Sequence, residues 1–238
     1  MQVGAARGPP EFEPHGCSVV TGRDDELVFV TRAVVPISSV PEAQHVALLQ
    51  QALVDGWHRK AATPARLSAF VEVLHQRLLA QTRTPGAQQW RLELCAMAVE
   101  PDSVWVVHVA DHRVWQVRGS RVERLTVDET LAELMRRQGL PLPEGVDRIT
   151  TRALGLEWSD DQPIVVSRHA WQPGDCFVLT TGWFHREQSD AACETLLQRA
   201  GAIPDAETAA RFLLAERSLS LGPSSYGFAS TGVLVVFP

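Results

Sequence analysis

The chain lacks any basic excess. Its formal net charge is −6, which argues against a surface built for nucleic acid or for an anionic membrane. It also lacks clustered cysteines. Cys17, Cys95, Cys176 and Cys193 stand far apart and none belongs to a C-x-x-C pair, so zinc-ribbon and thioredoxin-like readings fall away. All four are expected to be reduced thiols, two or three of them in core positions. No apolar run approaches the roughly 20 residues needed to cross a bilayer. The segment 1–14 has no basic-then-apolar signal pattern. These absences make a cytoplasmic location the expectation. No Pro/Gly run marks a linker between domains, so residues 16–238 are expected to form one domain behind a flexible tail over 1–15.

What is present suits a soluble, well-packed chain. Of 238 residues, 45% are hydrophobic and 21% charged, which is ordinary globular composition and long enough for a sizeable core. Short β-rich runs at Cys17–Val20 and Leu27–Val35 flank a polar turn, Thr21 to Glu26. Val46, Leu49, Leu53 and Trp57 recur at helical spacing, as do Leu67, Phe70, Val71, Leu74, Leu78 and Leu79. Thr63-Pro64 supplies the second helix with a cap and a first-turn proline.

The middle of the chain is β-rich: Trp90–Val99, Val104–Ala110, Val114–Val117 and Val122–Leu125, with Arg118-Gly119-Ser120-Arg121 as a hairpin connection. A short helix over Leu131–Met135 is expected to start at an Asp128 or Thr126 cap. Strands at Ile164–Ser167 and Cys176–Leu179, helices over Ala192–Ala200 and Ala206–Glu216, and a closing strand Gly232–Phe237 complete the order. A last strand arriving after helices must join a sheet made earlier, so strict βα alternation is excluded and a two-sheet sandwich with outer helices fits.

Val104 to Asp128 then carries a family resemblance. Ala110-Asp111-His112-Arg113, a strand, a turn and Leu125-Thr126-Val127-Asp128 resemble the Gly-Asp-Ser-Arg and Leu-Thr-x-Asp signature of the type 2C (PPM) serine/threonine phosphatases. Thr150-Thr151-Arg152-Ala153-Leu154-Gly155 resembles that family's Leu-Thr-Arg-Ala-Leu-Gly segment. Gln172-Pro173-Gly174-Asp175 and Thr180-Thr181-Gly182 are similar to its Gln-Pro-Gly-Asp turn and Ser-Asp-Gly motif. Arg23-Asp24-Asp25-Glu26 stands where the family has Asn-Glu-Asp, and Ser230 to Phe237 resembles the terminal Asp-Asn strand. The resemblance covers about residues 16–238 and implies an α+β fold, an αββα sandwich of two antiparallel sheets between helix pairs.

The family's reaction uses two divalent cations, Mn²⁺ or Mg²⁺, that activate a water for attack on a phosphate monoester. Such hard cations need a cluster of carboxylates. By resemblance, Asp24 and Asp25 are remnants of that cluster and Asp111 matches the Asp of an accessory third-metal site, while Thr181 and Ser230 stand at positions where the cluster has lost an acid. The bridging Asp-Gly motif is replaced by Thr31 to Ser39, which holds no acid. No catalytic residue is assigned.

The reading that follows is a catalytically impaired phosphatase-like protein, a pseudophosphatase. It would act as a binding or regulatory module in phospho-signalling, with a phosphoprotein or kinase as partner and no cofactor expected. The alternative is a weak Mn²⁺- or Mg²⁺-dependent phosphatase that recruits unusual ligands such as Glu26 or His185; a third is an unrelated sandwich enzyme or small-ligand binder. Trp183, Phe184 and His185 follow the altered motif and are candidates either to plug the old cleft or to contact a partner. His108 is expected to be a core or hydrogen-bonded histidine, and Asp111 with Arg113 a structural ion pair or turn cap at a strand junction.

Overall fold

The structure is a computed structural model that describes residues 1–7, 17–21, 27–34, 67–83, 91–158, 163–186, 188–221 and 231–238. Its strands are β1 (Gln2–Arg7), β2 (Cys17–Thr21), β3 (Leu27–Val34), β4 (Arg91–Val99), β5 (Ser103–Val109), β6 (Arg113–Arg118), β7 (Arg121–Arg124), β8 (Val166–Ala170), β9 (Asp175–Thr180) and β10 (Gly232–Phe237). Its α-helices are α1 (Leu67–Thr82), α2 (Leu131–Arg137), α3 (Gly182–His185), α4 (Asp190–Gly201) and α5 (Ala206–Leu221). The helix expected around Val46 to Trp57, the Thr63-Pro64 start, and Trp90 lie outside the described residues.

The strands make two antiparallel sheets. One has the order β1-β10-β9-β6-β7 and the other β2-β3-β4-β5-β8. The closing strand joins the first sheet between β1 and β9, with Val233 opposite Thr180 and Leu234 opposite Leu179. This is the late return that the sequence order required.

Alternation along each strand divides the core into three layers. Leu92, Leu94, Ala96 and Ala98 of β4 pack on Leu67, Val71, Leu74 and Leu78 of α1. The opposite face of β4, Cys95 and Met97, meets Phe177, Leu179 and Leu234 of the other sheet. On the far side, Val178, Val233 and Val235 pack beneath Leu197 of α4 and Ala209 and Leu213 of α5. Helix, sheet, sheet and helix thus stack in that order, the αββα sandwich expected.

Several local expectations are corrected. The tail expected over residues 1–15 is a strand over its first part: β1 pairs antiparallel with β10, Gln2 opposite Phe237 through Arg7 opposite Gly232. Gly4 permits this, because a Cβ there would run into the backbone of Ala206 and Glu207 on α5. Helix α2 is capped by Thr130, whose hydroxyl accepts from the Glu133 N–H at 3.3 Å. The two caps expected are occupied elsewhere, Thr126 by the N–H of Val114 and Asp128 by Arg113. Helix α4 starts two residues before the expected Ala192 because Ser189 caps it.

Asp175 of the Gln-Pro-Gly-Asp turn is a structural residue. It accepts from the Gln172 N–H, from Gln116 Nε2 and from both Arg118 Nε and Nη2. Cys95, Cys176 and Cys193 are buried free thiols; burial pushes Cys176 up to about 12 and Cys193 to about 11. No described helix is long and apolar enough to cross a membrane.

Candidate functional site

The site is built on the turn between β5 and β6. Ala110 holds φ at 81°, a left-handed conformation that a Cβ disfavours. The resembling motif has glycine there. The turn is pinned on both sides by Glu129: the Ala110 N–H donates to its carboxylate at 2.9 Å, and the Ala110 carbonyl accepts from its N–H at 2.9 Å. Arg152, from the Thr-Arg-Ala-Leu-Gly segment, holds the other oxygen of Glu129 at 2.7 Å and lies over the Trp158 ring. This frame sets the direction of Asp111 and His112, both buried.

Asp111 is where the resemblance places a metal carboxylate. Its Oδ2 accepts from Arg186 Nη2 at 2.7 Å and from Arg186 Nε at 3.2 Å. Arg186 follows α3 directly and stacks over the Trp183 ring. Burial pushes the Asp111 carboxyl upward, but the neighbouring His112 and the Arg186 guanidinium prevail and hold it well below the usual carboxylate range. The carboxylate also abuts Gly182, where a Cβ would overlap it, so glycine is required at the start of α3.

Thr181, which precedes Gly182, and Thr231, which precedes β10, are buried neutral residues. The Thr181 hydroxyl accepts from the N–H of Gly232, the residue after Thr231, at 3.0 Å. Asp24, Asp25 and Ser230, the other positions assigned from sequence, lie outside the described residues.

Sequence reading missed Arg186 and Glu93. Glu93 is 2% exposed and sits on the β4 face of Cys95 and Met97, at the end of the layer between the sheets. The available signal was an acid inside the apolar strand Leu92–Val99. His112 Nδ1 lies 3.6 Å from Asp111 Oδ1 and 4.0 Å from Glu93 Oε2. His108, in contrast, is an ordinary hydrogen-bonded histidine, its Nε2 2.7 Å from the Val127 carbonyl.

Arg113 forms the second half of the site. It grips Asp128 with two bonds, 2.8 and 2.6 Å, and reaches Asp190 at the start of α4 at 2.9 Å. The expected Asp111–Arg113 ion pair is therefore replaced by Asp111–Arg186 and Arg113–Asp128. A polar cleft of about 420 Å³ opens beside these groups, lined by Arg113, Arg124, Asp128, His185, Arg186 and Asp190 among others.

The three residues grouped as a partner contact separate. Phe184 is fully enclosed in the core beneath α4 and α5, and His185 is buried beside the cleft. Trp183 is half-buried under Arg186. A short apolar helix end is drawn inward because Arg217, itself buried, holds the carbonyls of Trp183 and Arg186 at 3.1 and 2.9 Å.

Burial and the Arg113 charge lower His185 to about 3, against the opposing pull of Asp128 and Asp111. In the unfolded chain an imidazole titrates near 6.5. Between about pH 6.5 and 3 the unfolded state therefore takes a proton that the folded state refuses, and stability falls as pH falls. The expected slope is on the order of 1 kcal/mol per pH unit. His185→Gln should flatten it, as read from urea unfolding between pH 7 and 4.

No protein-family model matches the chain, and no curated protein matches it. Solved structures do. The serine/threonine phosphatase PstP/Ppp of Mycobacterium tuberculosis superposes with a TM-score of 0.72 at 20% identity, over 98% of this chain and 95% of that one. The fold is that of the PPM phosphatases. The catalytic domain of PstP in complex with two manganese ions matches at 0.71 and 19%, over 98% and 94%. The S. agalactiae serine/threonine phosphatase matches at 0.74 and 15%, over 100% and 98%. These superpositions show the PPM phosphatase architecture across essentially the whole chain and leave its chemistry to be argued from its own residues.

Proposed function

We propose that this chain is a phosphatase-fold protein impaired in two-metal hydrolysis, working as a binding or regulatory module in phospho-signalling, with a phosphoprotein or kinase as its partner. The observation that carries this reading is the Asp111–Arg186 pair at 2.7 Å, both side chains buried. A guanidinium now neutralises a carboxylate that the resemblance assigns to an accessory third metal. Two dications a few ångströms apart require several carboxylates to offset their repulsion. At Thr181, where the resemblance has lost an acid, the buried side chain offers neutral oxygen only; the described carboxylate that joins Asp111 is Glu93, and a fixed cation already stands there. These residues do not fit a Mn²⁺ or Mg²⁺ pair, and no hydrolytic step is derived through one.

The test is phosphate release from an aryl phosphate and from a phosphothreonine peptide, with and without millimolar Mn²⁺, beside an Asp25→Ala control. Equal, background release in every arm is expected. Mn²⁺-dependent turnover abolished by Asp25→Ala would return the chain to the active phosphatases.

A further inference from the structure

We infer that Glu93, Asp111 and His112 form a site for one transition-metal ion, Zn²⁺ by preference, through two carboxylate oxygens and an imidazole nitrogen. The three residues come from two elements, Glu93 from β4 and the others from the β5–β6 turn, and all are buried. One donor atom from each lies within 4.8 Å of the others. The measured separations from His112 Nδ1 are 3.6 Å to Asp111 Oδ1 and 4.0 Å to Glu93 Oε2. Ligands of a tetrahedral ion with bonds near 2.1 Å stand about 3.4 Å apart. The set therefore closes on an ion with side-chain movements of no more than about an ångström.

A second observation points to a ligand. Asp111 Oδ1 and both ring nitrogens of His112 are enclosed with no hydrogen-bond partner among the described residues, although buried polar atoms are nearly always paired. The remaining Asp111 oxygen is held by Arg186. That clamp fixes the carboxylate plane and leaves Oδ1 directed at His112, in the way outer hydrogen bonds orient a metal ligand. With His112 neutral, the two carboxylates and Arg186 carry one net negative charge, which suits a single dication and not a pair. The donor set also discriminates between ions. An imidazole nitrogen in an enclosed place suits Zn²⁺, whereas Mg²⁺ prefers oxygen donors and keeps several waters.

This inference stands apart from the impaired-hydrolysis reading, since one enclosed structural ion performs no turnover. The full chain, stripped with chelator and shown folded by circular dichroism, would be titrated with Zn²⁺, Co²⁺ and Mn²⁺. One equivalent of Zn²⁺ is expected, with tetrahedral Co²⁺ absorption bands, a raised unfolding temperature in Zn²⁺, and Mn²⁺ binding weaker by at least about tenfold. His112→Gln and Glu93→Gln keep side-chain volume similar and should each weaken Zn²⁺ by about 10–100-fold or more. Absence of one-to-one Zn²⁺ binding in the unaltered chain, or full affinity in both variants, overturns the site. The phosphate-release assay reads hydrolysis alone, so either idea can fail without the other.

Discussion

Arg186→Ala will lower the stability of the fold by about 3–5 kcal/mol at neutral pH, the usual cost of stripping one partner from a buried ion pair. In a chain of this size that is a fall in unfolding temperature on the order of 10 °C. The cause is Asp111. Its carboxylate is 2% exposed, and without the guanidinium it is a buried charge beside Glu93 with only imidazoles near it. Two further outcomes separate this cause from loss of Arg186 packing over Trp183.

The first is pH dependence. In the unaltered chain the folded-state pKa of Asp111 is depressed, so its contribution is present above the unfolded value, near 3.9, and is lost as pH falls below that. In the variant, burial acts without the cation and raises the pKa, so the damage should shrink as pH is lowered from 7 to 5. The second is compensation. Replacing both charges, Asp111→Asn with Arg186→Met, should recover half or more of the loss, because a buried pair contributes little net stability against a neutral substitute. Urea unfolding of the four proteins closes the double-mutant cycle.

Arg113→Ala should cost a comparable amount, about 3–5 kcal/mol. Arg113 ties β6 to the loop before α2 through Asp128 and to the first turn of α4 through Asp190. Asp128 is 14% exposed; burial favours its neutral form, and the Arg113 bonds hold it ionised. Lysine cannot reproduce two parallel bonds and a third to Asp190, so Arg113→Lys should recover less than half of the loss. Amide exchange should accelerate most at residues 126–131 and 190–193, where the severed contacts lie. A uniform change across both sheets would argue for a general packing role instead.

How much of this was readable from the sequence follows from which interactions are local. The layered fold was legible because the apolar β runs at Leu92–Val99 and Cys176–Leu179 and the helical spacing from Leu67 to Leu79 are properties of contiguous residues. The strand at Gln2–Arg7 was not. Gln-Val-Gly-Ala-Ala-Arg carries little β signal of its own, and it is a strand because β10 offers an edge and Gly4 allows α5 to approach.

In the site, Asp111 was found because it sits within a motif. Its partner was not, because Arg186 is 75 residues away and reaches Asp111 only after α3 turns inward. Trp183 and Phe184 illustrate the same limit. As sequence neighbours they read as one aromatic anchor, yet helical geometry sends Phe184 into the core and leaves Trp183 half-buried under a cation.

The central claim, that the phosphatase fold is retained without its metal pair, is tested most directly by counting Mn²⁺. Equilibrium titration of the full chain into the millimolar range, with electron paramagnetic resonance of the bound fraction, reports both stoichiometry and coupling between ions. At most one Mn²⁺ per chain and no spin-coupled signal is the predicted result. Two equivalents with the signature of a coupled pair would contradict it, and would mean that Arg186 yields its place at Asp111 when the metals arrive.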